Sequence, residues 1–246
     1  MHMSDDLISP AVGIAMCAVS AVAIAYSVKK SVKGECFSKE KLPMMAVMSA
    51  FIFAAQMVNF AIPQTGSSGH ITGGILLAAM IGAFPALLSM SLVLVVQCLF
   101  FADGGLLALG CNIFNLGVIP CLIVYPLVFE PLAKRNMALA SVLSVVLGLQ
   151  LGALGVVLQT YASGIAGLPF AAFAASMLPI HLAIGALEGV ATAVVLYFAY
   201  AVHAKKAALA FALMALLFGG VLSQFASQAP DGLEWSIEKA ESHGKQ

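Results

Sequence analysis

The run Ile71-Thr72-Gly73-Gly74-Ile75-Leu76-Leu77-Ala78-Ala79-Met80-Ile81-Gly82-Ala83-Phe84 decides the fold, because whether it crosses a membrane fixes the side on which every later loop lies. Its surroundings establish the solvent. The chain of 246 residues is 62% hydrophobic and 9% charged, with a mean hydropathy of +1.04, where a soluble domain carries about 25% charged residues. No Asp, Glu, Lys or Arg lies between Lys41 and Asp103, nor between Asn136 and Leu187. Each desert is longer than one crossing of about 20 residues. The chain is therefore an integral membrane protein, all-α and polytopic. With a formal net charge of zero, nothing points to a nucleic acid as partner.

Apolar stretches of spanning length fall at about 10–28, 42–62, 86–101, 108–129, 137–161, 177–203 and 207–225. The 71–84 run is short for a crossing and by length alone reads as re-entrant. The distribution of basic residues settles its parity. If 71–84 crosses, Lys29, Lys30, Lys33, Lys39, Lys41, Lys134, Arg135, Lys205 and Lys206 share the cytoplasmic side, nine of the eleven basic residues. If it does not, Lys134-Arg135 and Lys205-Lys206 move outside and the asymmetry collapses. Eight crossings with both termini outside are expected. Asp5 and Asp6 precede the first apolar run and the lysines follow it, unlike a secretory signal, so the first helix reads as uncleaved. Small residues at four-residue spacing, Gly148 with Gly152 and Gly185 with Gly189, permit close helix contacts in lipid.

This topology gathers three segments on the outer face: Met1-His2, the turn Thr65-Gly66-Ser67-Ser68-Gly69-His70, and Phe101-Ala102-Asp103-Gly104-Gly105. A chain opening Met-His offers a metal its α-amine, the deprotonated backbone nitrogen of His2 and the His2 imidazole, closing a five- and a six-membered chelate ring side by side. His70 supplies a fourth nitrogen, completing a planar set that suits Ni(II), Cu(II) and some Co(II). Alone, the dipeptide is a common way for a chain to begin. Binding that expels protons from an amine and an amide is expected to weaken on mild acidification.

Polar residues in the apolar spans need partners. Glu188 shares a helix face with His181, Gly185 and Thr192, and reads first as a hydrogen-bonded lock with His181 and a neighbouring amide, second as part of a polar route. Asn112 with Asn115, and Gln56 with Asn59, are each expected three residues apart on one helix; they either fasten helices or support a metal site from behind its ligands. Asp103, followed by two glycines, attracts cations or simply makes a turn. Cys17, Cys36, Cys98, Cys111 and Cys121 show no CxxC pairing, and four lie in apolar segments as packing residues. There is no GxxxxGK[ST] motif, so energy from ATP would come from other chains.

Met1-His2-Met3 with Ser9-Pro10, Thr65 to His70 with Gly73-Gly74, Asp103 to Gly110 with Asn112 and Asn115, and His181 to Glu188-Gly189 together resemble the substrate-binding membrane component of nickel/cobalt energy-coupling-factor transporters, the CbiM/NikM family. The resemblance spans most of residues 1–206. It implies a seven-helix core in a prokaryotic cytoplasmic membrane, with Met1, His2 and His70 as the metal-binding residues and Ser68, Asp103, Asn112 and Asn115 supporting them. The cargo would be Ni2+ or Co2+, with no resident cofactor and no enzymatic activity of its own. Implied partners are a transmembrane coupling protein, two cytoplasmic ATPase subunits and, optionally, a small accessory membrane subunit. Residues 207–246 resemble the start of that accessory subunit fused to the core: one more transmembrane helix, then a polar extracytoplasmic tail where the separate subunit has a second helix.

A different class competes. Gly66-Ser67-Ser68-Gly69 fits the GxSG motif of rhomboid-type intramembrane serine proteases, with His181 as base. That reading requires the Ser68 hydroxyl at hydrogen-bond distance from His181 and leaves His70 and the Met-His start unexplained.

Overall fold

The computed structural model describes residues 1–34, 37–38 and 41–244. The expectations placed on Cys36 and Lys39 lie outside those residues. The chain forms α1 (Pro10–Lys33), α2 (Leu42–Gln56), α3 (Gly74–Ile81), α4 (Ala83–Phe101), α5 (Leu109–Ile113), α6 (Glu130–Ala133), α7 (Met137–Ser163), α8 (Phe170–Ala201), α9 (Ala204–Gly220) and α10 (Gly232–Gly244). A π-helical stretch, Phe114–Phe129, joins α5 to α6 and contains Pro120 and Pro126. The wider turn accommodates prolines that would otherwise break an α-helical ladder. Among the described residues five helices are long and apolar enough to cross a membrane: Pro10–Lys33, Ala83–Phe101, Leu109–Ala133, Met137–Ser163 and Phe170–Ala201.

Lipid tails are as apolar as leucine, so close backbone approach, not burial from water, must hold such helices together. The most extensive pairing is α7 with α8. There a Cβ on Gly185 would lie 3.1 Å from Val146 Cα, and one on Gly189 2.7 Å from Val142 Cα. Gly152 serves another purpose, since its absent Cβ makes room for the Met1 side chain, whose Cε would lie at 2.8 Å. The glycine spacing seen in the sequence is thus part helix packing and part seat for the N-terminus.

The 71–84 run contains the eight residues of α3, about 12 Å of helix, and the first two of α4. Its course can be followed against α8. The loop from Met57 to Gly73 descends until Thr72 and Gly73 meet the Glu188 carboxylate midway along α8. From there α3 runs on until the Ala79 carbonyl accepts from Tyr200 Oη at 2.8 Å, about 18 Å further along α8. Irregular backbone at this depth is tolerated because it is surrounded by protein. The 42–62 expectation is shortened for the same reason: α2 ends at Gln56, and Asn59 lies in the descending loop, not on the helix.

That loop carries a two-stranded antiparallel hairpin, β1 (Phe60–Ala61) with β2 (Ser68–Gly69). The C-terminal segment fastens it. Ser227 N donates to Asn59 O at 2.8 Å, Ser68 N to Pro230 O at 2.8 Å, and Trp235 Nε1 to Thr65 O at 3.0 Å. α9 packs on α2 through Phe211 and Phe218 against Phe51. The polar tail expected beyond it is instead an ordered helix. α10 buries Leu233, Ser236 and Ala240 and packs along α8.

Candidate metal centre

The first eight residues are built into the bundle. Met1, Met3, Leu7 and Ile8 are buried, an apolar content that makes a docked tail cheaper than a solvated one. Asn112 holds Met3 from both sides, its Oδ1 accepting from Met3 N at 2.8 Å and its Nδ2 donating to Met3 O at 3.0 Å. Gly105 N also donates to Met3 O, and Ala108 N donates to Asp5 Oδ1. The turn after α4 can wrap the tail this closely because Gly104 adopts a φ of 86° and a Cβ there would lie 2.8 Å from Asn112 Nδ2. Asn115 exchanges hydrogen bonds with Gln159 and lies 3.8 Å from Met3 Sδ.

At the head of this tail the Met1 nitrogen lies 3.4 Å from His70 Nε2. His70 Nδ1 donates to its neighbour's carbonyl, Ile71 O, at 3.3 Å, so the ring proton is on Nδ1 and the Nε2 lone pair faces the amine. The His2 ring stacks against His70, centroids 5.3 Å apart and planes within 18°. Its Nδ1 is 3.4 Å from Asp103 Oδ1, while its Nε2 is buried without a hydrogen-bond partner. Burial, then the nearby N-terminal ammonium, push the His2 pKa down to about 3; the same two causes and the charge of His2 push His70 down to about 3. Both imidazoles are neutral in ordinary buffers, the state in which they bind a metal.

Met1, His2 and His70 are thus brought together, with Asp103 and Asn112 in direct contact with the tail and Asn115 beneath it. Ser68 is placed otherwise. Its Oγ donates to the carbonyls of Ala229 at 2.8 Å and Pro230 at 3.2 Å, while His181 Nδ1 donates to Met177 O at 2.8 Å. The serine and histidine of the protease reading are turned to separate backbone carbonyls, so that reading falls. The lock expected between Glu188 and His181 is also corrected. Glu188 accepts from Thr72 N, Thr72 Oγ1 and Gly73 N, tying α8 to the loop that carries His70.

The sequence reading missed Asp231. Its Oδ2 lies 2.8 Å from the Met1 nitrogen. Burial alone would raise this carboxyl, but the charge and hydrogen bond of the ammonium prevail and hold it well below the usual carboxylate range. Asp231 also caps α10, its Oδ1 accepting from Leu233 N and Glu234 N. A small cavity beside the amine is lined by residues that include Met1, His70, Thr72, His181, Ile184 and Asp231. A turn signal at Pro230-Asp231-Gly232 is visible in the sequence; its contact with residue 1 is not.

Residues 2–206 match the family described as cobalt uptake substrate-specific transmembrane region, CbiM. The chain belongs to the CbiM family. Residues 205–246 match the PDGLE domain, which includes Asp231. A protein of Archaeoglobus fulgidus named as a fused nickel transport protein NikMN is 31% identical over 202 residues, 82% of this chain and 66% of that protein. The fused nickel transport protein NikMN of Rhodobacter capsulatus is 32% identical over 121 residues, 48% of this chain and 33% of its own length. The chain therefore spans between about a third and two thirds of these two curated relatives. A crystal structure of a truncated transition metal transporter superposes with a TM-score of 0.72 at 30% identity, covering 82% of this chain and 99% of that one. A second transition metal transporter gives the same TM-score at 29% identity over 87% of this chain. The CbiM assignment agrees with the multi-pass helical architecture.

Proposed function

We propose that this CbiM-family chain binds Ni(II) or Co(II) and admits it to the cytoplasm as the substrate-specific component of an energy-coupling-factor uptake system. The observation that carries the reading is the Met1 amine 3.4 Å from the lone pair of a neutral His70 Nε2, with His2 beside it. Met1 N, the His2 backbone nitrogen and His2 Nδ1 form the two fused chelate rings, and His70 Nε2 closes the plane. Binding releases one proton from the Met1 ammonium and one from the His2 amide nitrogen and replaces the Asp231 contact. Residues 1–206 form the metal-binding core and 207–246 the fused accessory part. The site opens to the outer side, both termini lie there, and a transmembrane coupling protein with two ATPase subunits supplies the energy. The names of the nickel-transporting relatives support this reading.

The test compares Ni(II) and Co(II) binding by metal analysis and optical spectrum for the chain beginning at Met1 and for a version with one residue added before it. Stoichiometric binding that disappears on extension is expected, with the same loss for His2→Ala and His70→Ala and none for Cys98→Ala. Equal binding by all five forms sinks the proposal.

A further inference from the structure

A planar set that uses His2 Nδ1 obliges the other ring nitrogen, Nε2, to carry the imidazole proton. Nε2 is buried and has no hydrogen-bond partner, and a buried donor left unmatched keeps its full desolvation penalty. A second buried atom without a partner belongs to Gln97. Gln97, fully buried on α4, has an Oε1 without a partner, and its side chain lies close enough to the His2 ring to act on it as a hydrogen-bonding group. Its peptide carbonyl accepts from Asp103 N at 3.2 Å, so Gln97 is held in one turn with the residue that touches His2 Nδ1.

We infer that Gln97 is the positioning residue that accepts the His2 Nε2 proton and so presents Nδ1 to the metal, as the last link of a hydrogen-bond chain running Thr72, Gln56, Gln97, His2. The inference rests on the metal-site reading above. The direction of the chain is set at its far end. The Thr72 carbonyl can only accept, and it accepts from Gln56 Nε2 at 2.7 Å. The Gln56 oxygen is thereby turned outward and accepts from Gln97 Nε2 at 2.8 Å. The Gln97 oxygen is in turn the end left for His2, which must answer with a proton. An amide that flipped anywhere along the chain would set two donors or two acceptors against each other. Asp103 makes the opposing demand, since its carboxylate at 3.4 Å from Nδ1 favours a proton there; Asp103 is the more exposed of the two residues, and a metal on Nδ1 replaces its contact. Thr72 itself is fixed by Glu188, so the loop that carries His70 and the orientation of His2 are referenced to the same carboxylate.

The experiment uses the full chain with its native N-terminus, the Gln97→Met and Gln56→Met variants, and Gln150→Met as control, because the Gln150 amide donates to Leu178 O between α7 and α8. Ni(II) affinity is read by chelator competition. The ring N–H of His2 is read by NMR in 15N-histidine-labelled protein, since Ni(II) in a plane of four nitrogens is diamagnetic. Gln97→Met is expected to weaken Ni(II) binding about 10- to 100-fold and to lose the slowly exchanging Nε2–H signal; Gln56→Met moves both in the same direction by less, and Gln150→Met moves neither. A Gln97→Met protein that binds within threefold of the parent and keeps that signal overturns the inference. If Gln97→Met fails to fold, Gln56→Met decides it by the same two readouts. A parent chain that binds no Ni(II) removes the site itself, and the inference with it, which separates the two failures.

Discussion

At the scale of single residues, the acid behaviour of the centre follows from three shifted groups. His2 and His70 titrate at about 3 in the folded chain against an ordinary 6.5. Between those values the unfolded tail binds protons that the docked tail refuses, so this contribution to docking is fully present above 6.5 and is lost as the pH falls toward 3. Asp231, held below the usual carboxylate range, acts in the same direction: its contribution is present above that range and lost below it. Acidification of the metal-free protein is therefore expected to loosen the Asp231 segment and the tail together. Trp235, the only tryptophan, reports it through its bond to Thr65 O; its emission is expected to change between pH 6.5 and 3. Asp231→Asn removes the charge from the Met1 pair and is expected to weaken docking by about 1.5–3 kcal/mol, moving the acid transition to higher pH. An unchanged midpoint would show that the pair contributes nothing. Metal release at milder pH belongs to the amine and the amide nitrogen, because the imidazoles are already neutral there.

At the scale of elements, the hairpin loop is the part of the fold that most needs an external anchor. It enters the apolar layer with backbone groups that lipid cannot satisfy, and Glu188 accepts from three donors of that loop at 2.8–3.0 Å. Glu188→Ala strands those donors and is expected to cost several kcal/mol, at about 1–3 kcal/mol for each. Glu188→Gln retains one acceptor oxygen and is expected to cost less. Thermal unfolding in detergent, read alongside Ni(II) affinity, ranks them; equal stability of the two variants would mean that another group holds the loop. Gly73 answers to the same geometry. Its φ is 79° and a Cβ would lie 2.4 Å from Ile52 Cδ1, so Gly73→Ala strains the turn into α3 and is expected to impair metal binding with Glu188 intact.

At the scale of the whole molecule, the two ends of the chain meet over one centre: residue 1 is paired with residue 231, and the segment around Pro230 lies along β2. Ending the chain after Lys206 removes α9, α10 and the Asp231 contact, and is expected to speed both entry and loss of Ni(II), measured by stopped-flow absorbance; unchanged rates would mean that this segment does not gate the site. Much of this organisation is legible in the sequence. Long runs without charge, the side-to-side bias of lysines and the Met-His start are local signals, and the physics behind each, the cost of a charge in lipid and the bite of a chelate ring, operates over a few residues. Membrane class, the approximate spans, the convergence of Met1, His2 and His70, and the part of Asn112 beside them were available from the chain itself. Asp231 against Met1, Glu188 against Thr72 instead of His181, Ser68 turned to Ala229, and the run from Thr72 to Gln97 were not. Each joins residues far apart in the chain, and which buried polar group finds which partner depends on where helices stop, as α2 stops at Gln56 and α3 begins at Gly74. Composition and spacing determined that buried polar groups would need partners; only the packed bundle, which excludes water and restricts which neighbours each group can reach, decided which.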